Sequence, residues 1–475
     1  MNHPEHEPAG AFAAAVEAVR RGERDAGQAA LALIAQLTLP QALRDGRLDR
    51  RDVERSAARL LATQIRYAAR ARPAPPVDVV ASAEHRELAR LVARRGCVLL
   101  RNEPVGAEPA LPLAAGRLRR LAVAGRLADQ PNLGDIGSSQ VHPPAAGTVL
   151  NGLRERLGER VVVPADAEVE AARAAARGAD AVVVVVGLTA QDEGEALVAL
   201  DTEAMRVLGG VTRWKPAAAA LGRIMRRAAR WTGGVAGGDR RDLRLHAEDV
   251  ELIHAVGAVN ARTVVVVIGG GTVVVDPWDR EVAAVLLAWY PGMEGGRAIA
   301  DVLLGDAEPG GRLPVTVPHR RADLPTVDWN ARLVTYGRWW GQRALDRAGL
   351  AAAYPFGFGL SYTTFSLGRF AVGPATAERF PAVVDVTNTG ARTGRHVVQV
   401  YARMPGQQRP VRALLGFASV EVEPGQTRTV TIDCDTRPLQ HWTGDGFTLA
   451  VDRIVLEAAS HSGDPAALTT ELKPA

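Results

Sequence analysis

Three carboxylates that follow a strongly apolar run are the first candidates for chemistry. The run AVVVVV at 181–186 predicts a strand buried on both faces of a parallel sheet, and the loop after it carries Asp192, Glu193 and Glu195. In open α/β sheets, ligands bind outside the carboxyl ends of such strands. Residues two apart in an extended segment point the same way, so Glu193 and Glu195 can face one cleft. Their repulsion would raise the proton affinity of one carboxylate and favour general-acid catalysis. An acidic, solvated loop is the alternative interpretation.

Strands and helices alternate around this run. The candidate strands are Leu121–Ala124, Val161–Val163, Val182–Val186, Thr263–Ile268 and Val285–Trp289. The helices between them include Glu168–Ala176, Ala247–Val259 and Gly296–Leu304. This alternation predicts an α/β fold, a mostly parallel sheet with helices on both faces, which would place the three carboxylates at one edge of the sheet.

The segments before this region are predicted to be helical. Apolar residues recur at helical spacing within Gln41–Tyr67. A Pro-rich linker, ARPAPPVDVV, follows, and Ser82 can then cap another helix. That helix would turn Leu88, Leu91 and Val92 inward.

The chain changes character near Phe365, where helix patterns end and short strands with period-two alternation begin. The turn sequences NTG at 388–390 and EPGQ at 423–426 separate these strands. This last region is predicted to be an all-β sandwich.

The composition is that of a multidomain globular protein. The chain has 475 residues, of which 47% are hydrophobic, and a prior of about 150 residues per domain suggests about three units. No apolar stretch reaches the roughly 20 residues of a membrane helix, so no membrane partner is expected. The start MNHPEHEPAG lacks the charged and apolar regions of a signal peptide, which predicts a cytoplasmic chain.

Charge, cysteines and glycines argue against several kinds of site. The net charge is +4 and the sequence pI is near 9.4, but the cations are nearly all arginine, typical of a biased genomic base composition. Nucleic acid is therefore not an expected partner. Cys97 and Cys434 lie in different predicted domains, so neither a disulfide framework nor a zinc site is expected. The GGGT run at Gly269–Thr272 follows a strand but lacks the GxGxxG spacing of a nucleotide-binding loop. We expect no cofactor and no metal.

Motifs spread over most of the chain resemble one enzyme family. They are LLRNE at 99–103, GDIGSS at 134–139, GLTAQDEGE at 187–195, GGDRRDLRL at 237–245, AWYPGMEGGRAIADVLLGD at 288–306, GRLPVTVP at 311–318, PFGFGLSYTTF at 355–365, VTNTGARTGRHVVQVY at 386–401 and LLGFASVEVEPGQ at 414–426. In this order the chain resembles the second and third domains of a glycoside hydrolase family 3 enzyme of the β-glucosidase type. Those domains are an αβα sandwich and a fibronectin type III-like β-sandwich.

The resemblance implies retaining hydrolysis of a β-glycoside by two carboxyl groups about 5–5.5 Å apart. The acid/base is commonly a glutamate of the αβα domain, in a pattern E-G-x-D-R-x-x-L-x-L that an insertion at Ala196–Val235 splits in this chain. Glu195, before the insertion, is then the expected acid/base, and Glu193 is the alternative or a modulator. Asp239 and Arg240, after the insertion, are expected to bind substrate.

Trp289 is a further substrate-binding candidate, because it ends a predicted strand and offers an aromatic face to a sugar ring. Core packing is an equal alternative for this side chain. The family needs no metal or cofactor.

The nucleophile is expected to be absent from this sequence. In the family it is an aspartate of a preceding (α/β)8 barrel, a fold of about 250 residues. Only about seventy residues precede the linker, and they resemble the helices that end such a barrel, so no nucleophile is assigned. A start codon placed too late, a gene remnant or a separate barrel polypeptide as partner would each explain this. A non-catalytic remnant with weak carbohydrate binding is the alternative function.

These observations divide the chain into five segments. They are a helical end of the barrel at 1–72, a Pro-rich linker at 73–81, the αβα domain at 82–335, a connecting segment at 336–365 and the fibronectin type III-like β-sandwich at 366–475.

Overall fold

The structure is a computed structural model that describes most of the chain. The described residues are 39–68, 76–134, 141–166, 168–193, 240, 242–326, 328, 331, 333–335, 337, 339–376, 378–404, 412–449 and 454–472. Described residues up to Val79 belong to one structural unit, and those from Val80 onward belong to another.

The first unit contains helical residues 39–44 and helix α1, Arg50–Ala68. Within the described residues of this unit, α1 has no buried side chain. Leu60, Leu61 and Ile65 are all more than half exposed. The predicted helix is confirmed over α1, but a turn at 45–49 interrupts the segment that was predicted to be helical. Across the described ranges, no helix combines the length and the apolar character needed to cross a bilayer.

The second unit opens with an α/β domain built on a six-stranded sheet. Its helices and strands in chain order are α2 (Ala83–Gly96), β1 (Val98–Asn102), β2 (Leu121–Ala124), α3 (Val149–Leu157), β3 (Val161–Val162), α4 (Val169–Arg177), β4 (Ala181–Gly187), α5 (Ala190–Glu193), α6 (Ala247–Gly257), β5 (Thr263–Ile268), β6 (Ala284–Trp289), α7 (Gly295–Leu304) and α8 (Gln342–Ala348). The strand order is β1-β6-β5-β4-β2-β3, and only β1 runs antiparallel to its neighbour. A small hairpin, Pro104–Val105 with Glu108–Pro109, lies after β1.

Both faces of this sheet are covered by helices. Every residue of β4 and β5 is buried, as a β-branched run between two helical layers requires. Core residues of α3 and α7 pack on one face and those of α4 and α6 on the other. The predicted mostly parallel αβα sheet is therefore confirmed, and the carboxyl ends of β4, β5 and β6 meet at one edge.

Two predictions about this domain were incomplete or wrong. The edge strand β1 was not predicted, because VLLRN is a short run without period-two alternation. Helix α2 is capped by Ser82 as expected, but Leu88 and Val92 are 57% and 62% exposed and do not face inward. The helix packs through charged groups instead: both Nε and Nη2 of Arg90 lie 2.7 Å from the buried Asp301 carboxylate on α7.

The β-sandwich follows, and it confirms the all-β prediction. Its strands are β7 (Phe365–Val372), β8 (Arg379–Asn388), β9 (Gly394–Arg403), β10 (Arg412–Val422), β11 (Thr427–Asp435), β12 (Gln440–Trp442), β13 (Phe447–Leu449), β14 (Ile454–Ala459) and β15 (Leu468–Leu472). The sheets β11-β8-β7 and β10-β9-β14-β15 enclose one core, and β12 pairs with β13. Alternate residues of β8 are buried, which is the pattern of a strand with one face on the core.

Candidate active site at the carboxyl ends of three strands

The chain leaves β4 through a tight turn that presents two acidic side chains. Gly187 has a φ of 140°, and a Cβ there would collide with the backbone of Ile268 on β5. The short helix α5 follows. Thr189 donates from its backbone N and its Oγ1 to Asp192 Oδ2, at 2.8 and 3.0 Å. Asp192 therefore closes the turn from which Glu193 projects.

Glu193 is held from two sides at the ends of β5 and β6. Its Oε1 accepts hydrogen bonds from the hydroxyl of Tyr290, at 2.5 Å, and from the backbone N of Gly270. Its Oε2 lies 3.0 Å from Nε of Arg240, and only 9% of the Glu193 side chain is exposed. Three donors from three separate segments thus converge on one carboxylate.

Arg240 is tied to the same turn. Its Nη1 donates to the carbonyl oxygen of Thr272 at 2.8 Å, and 13% of its side chain is exposed. A planar guanidinium with several donors is suited to bind a carboxylate and a carbonyl at once. The structure therefore brings together Glu193 and Arg240, two of the predicted site residues.

Asp192 is surrounded by groups that favour its charged form. Its Oδ1 lies 2.8 Å from Nε2 of His246, and Nη2 of Arg126 lies 3.7 Å from Oδ2. Burial acts to raise the pKa of Asp192, but the hydrogen bonds from Thr189 and the neighbouring His246 outweigh burial and lower it. An acid kept ionised in this way stabilises the turn and does not supply a proton.

A buried carboxylate that the sequence did not single out stabilises the turn after β4 through Arg126. Asp249 on α6 is 3% exposed, and its Oδ2 lies 3.3 Å from Nε of Arg126. Burial raises the pKa of Asp249, with Arg126 acting in the opposite direction. Arg126 also donates to the Gly187 carbonyl. Nothing in the local sequence distinguishes Asp249 from the surface acids of an amphipathic helix, because its partner lies on a distant loop.

Trp289 turns toward the interior of the domain. Its φ is 55°, which is uncommon for a bulky residue, and its Nε1 donates to the Gly96 carbonyl at 3.1 Å. The side chain is partly buried against the core on the α4 and α6 face of the sheet. Its role in binding substrate stays a prediction, as does that of Arg240. Glu195 and Asp239 lie outside the described residues.

A cleft of about 740 Å³ borders Asp192 and Arg240 on the side of α6. Its polar lining includes Asp242, His246 and Asp276, and its apolar lining includes Leu188 and Leu245. This volume is within the range of small-molecule sites. No group of three or more potential metal ligands occurs anywhere in the ranges that the structure describes.

Taken together, the fold is an αβα domain with carboxylates at its strand ends, joined to a fibronectin-like sandwich. The family model described as "Glycosyl hydrolase family 3 C-terminal domain" matches residues 97–362, more than half of the chain. A second model, "Fibronectin type III-like domain", matches residues 396–458. The chain belongs to glycoside hydrolase family 3, as the motifs predicted.

Individual relatives match parts of longer proteins. An exo-alpha-(1->6)-L-arabinopyranosidase of Bifidobacterium longum is 30% identical over 384 residues, which cover 76% of this chain and 44% of that protein. Beta-glucosidase B of Emericella nidulans is 42% identical over 211 residues, 40% of this chain and 25% of that protein. The crystal structure of a family 3 beta-glucosidase of Bifidobacterium adolescentis matches with a TM-score of 0.70 and 27% identity, over 94% of this chain and 60% of that one. The chain thus spans less than two thirds of each of these relatives.

Proposed function

We propose that this chain supplies the acid/base part of a retaining β-glycosidase. The observation that carries the proposal is the carboxylate of Glu193, held at the carboxyl ends of β4, β5 and β6 in a family 3 domain, two residues before Glu195. Relatives named as a beta-glucosidase, a beta-xylosidase and an arabinopyranosidase support a glycoside with a terminal pyranose as substrate.

The proposed reaction has two steps. In the first, the acid/base protonates the glycosidic oxygen while a nucleophilic carboxylate attacks the anomeric carbon and the aglycone leaves. In the second, the same residue, now a base, removes a proton from water, which hydrolyses the glycosyl-enzyme. We assign the acid/base role to Glu195, with Glu193 as the alternative. Asp239, Arg240 and Trp289 are proposed to bind substrate.

The nucleophile is proposed to come from an (α/β)8 barrel on additional or separate sequence. The relatives' extra length has room for such a domain, since this chain spans 44% of the Bifidobacterium longum protein. A separate barrel polypeptide would then be a partner of this chain.

The cytoplasmic location and the five segment boundaries likewise stay predictions.

The proposed function is tested by supplying the barrel that would carry the nucleophile. The barrel of the Bifidobacterium adolescentis beta-glucosidase is fused before residue 1, and nitrophenol release is measured from 4-nitrophenyl glycosides of glucose, xylose and arabinopyranose. We expect turnover above that of the isolated barrel, and its loss in Glu195→Gln. A soluble, folded fusion without turnover would favour the non-catalytic alternative, which binding of the same glycosides without hydrolysis would then support.

A further inference from the structure

We infer that Glu193 is a positioning residue and not the proton donor, and that the GGGT turn at Gly269–Thr272 is a socket for the Glu193–Arg240 ion pair. The catalytic part of this inference rests on the proposed function. The socket itself does not, because it follows from contacts within the α/β domain.

Both carboxylate oxygens of Glu193 already have donors from the protein. Oε1 of Glu193 accepts from Tyr290 and Gly270, and Oε2 is paired with Arg240. A general acid must carry a proton and direct it to the glycosidic oxygen. A backbone N–H and a guanidinium can only donate, so a proton on Glu193 would break the ion pair or displace one of these donors. Both oxygens of Glu193 are thus engaged by protein donors, and only 9% of its side chain is exposed.

Two of the three glycines in the GGGT turn face the ion pair so closely that a side chain would collide with it. A Cβ on Gly270 would lie 2.7 Å from Cε2 of Tyr290 and 2.9 Å from Oε1 of Glu193. A Cβ on Gly271 would lie 2.6 Å from Nη2 of Arg240. Heavy atoms do not approach a Cβ this closely, so either substitution would move the side chains of the ion pair.

Gly269 differs from its two neighbours. A Cβ there would meet Oε1 of Glu193 and Cβ of Leu188 only at 3.7 Å, an ordinary contact distance. A Cβ on Gly270 or Gly271 would therefore displace Tyr290 or a side chain of the buried pair, which Gly269 would not do. Gly269 supplies a matched control within the same turn.

The Glu193–Arg240 pair joins two segments that are far apart in the chain. Residues 194–239, which contain the insertion at Ala196–Val235, lie between Glu193 and Arg240 in the sequence, so the pair joins the two chain segments on either side of them. Both segments are also joined to β5 through the turn, by Gly270 N on one side and the Thr272 carbonyl on the other. The pair thus fixes where the polypeptide departs from and returns to the strand ends that carry the proposed site.

The socket is tested on the full chain by thermal unfolding. Glu193→Gln and Arg240→Met are each expected to lower Tm by on the order of 5 °C, and the double variant by no more than the larger single effect. Additive effects would overturn the pairing. Gly271→Ala is expected to lower Tm, and Gly269→Ala is expected to leave it unchanged. Equal effects of the two alanine substitutions would overturn the socket. This comparison holds even if a variant of the ion pair does not fold.

The positioning role is tested in the barrel fusion with leaving groups of different acidity. Glu193→Gln and Arg240→Met should each lower kcat/KM by on the order of 10- to 100-fold, equally for dinitrophenyl and alkyl glycosides, because geometry is disturbed and proton donation is intact. A loss that grows steeply for alkyl glycosides would make Glu193 the proton donor and overturn the inference. Absence of turnover in every fusion, including the unsubstituted one, would count against the proposed function, and the unfolding measurements would still decide the socket.

Discussion

Nε of Arg240 lies 3.0 Å from Oε2 of Glu193, although residues 194–239 separate the two in sequence. Both side chains are nearly buried, and each has a second partner in the turn after β5. Closing a long loop costs only slightly more entropy than closing a short one, so the long separation in sequence adds little to the cost of forming this pair. This relationship gives the predicted acidic loop a structural role that its sequence did not reveal.

Tyr290→Phe should weaken this arrangement without creating a cavity. The change removes the hydroxyl that donates to Glu193 at 2.5 Å and keeps the ring, which packs against the core. We expect the free energy of unfolding to fall by about 1.5–3 kcal/mol, the usual range for a hydrogen bond to a charged group. Denaturant unfolding measures the loss. In a Glu193→Gln background the same change should cost less, and an equal cost in both backgrounds would argue against the contact.

Asp301→Asn should destabilise the α/β domain strongly. Asp301 on α7 is 1% exposed and accepts from Arg90 on α2 at 2.7 Å and from Arg156 on α3 at 3.1 Å, so it joins three helices. Removing one member of a buried ionic cluster typically costs about 3–5 kcal/mol.

The matched control for this prediction is Glu155→Gln. Glu155 pairs with Arg297 at 2.7 Å between the same helices, α3 and α7, but both side chains are more than 40% exposed. Exposed pairs contribute about 0–1 kcal/mol. Comparable losses of unfolding free energy in the two variants would show that burial is not what distinguishes these pairs.

His396 should make the sandwich less stable in acid. The ring is 5% exposed and lies 4.9 Å from that of Phe365, and its Nε2 has no hydrogen-bond partner among the described residues. Burial, together with the charge of Arg312, lowers the pKa of His396 to about 4. Because the folded-state pKa is below that of the unfolded chain, the stabilisation is present above pH about 6.5 and is lost as the pH falls through about 4.

The size of this effect is bounded by linkage at about 3 kcal/mol. Unfolding of the full chain between pH 7 and pH 4 measures it. His396→Gln should reduce the pH dependence, whereas His441→Gln, on an exposed strand of the β12–β13 hairpin, should not. An unchanged pH profile in His396→Gln would refute the prediction.

The sequence predicted the elements that have a strong periodic pattern. The Val-rich strands β4 and β5 appear where expected, because two helical layers demand uninterrupted apolar residues there. It could not predict the inward face of α2, since Arg90 is directed into the domain by Asp301, a partner far away in sequence.

The candidate site shows the same limit. Sequence position alone placed Glu193 shortly after a strand, and the structure agrees, but Glu193 ends the short helix α5 and does not lie in the extended segment that was predicted. The donors that bind it, the Tyr290 hydroxyl and the Gly270 amide, follow two other strands, and only the sheet order brings them together. The GGGT run matched no known motif, because Gly270 and Gly271 leave space for the side chains around one particular ion pair.

We propose that Glu195 transfers the proton and that Glu193 positions the site. The most direct test of this proposal is azide rescue in the barrel fusion, with dinitrophenyl glycosides as substrates, since an acidic aglycone leaves without protonation. In Glu195→Ala, azide should fill the vacated space and restore turnover, with a β-glycosyl azide as product. In Glu193→Ala, azide should have no effect. Rescue of Glu193→Ala together with no rescue of Glu195→Ala would contradict the account and reverse the two roles.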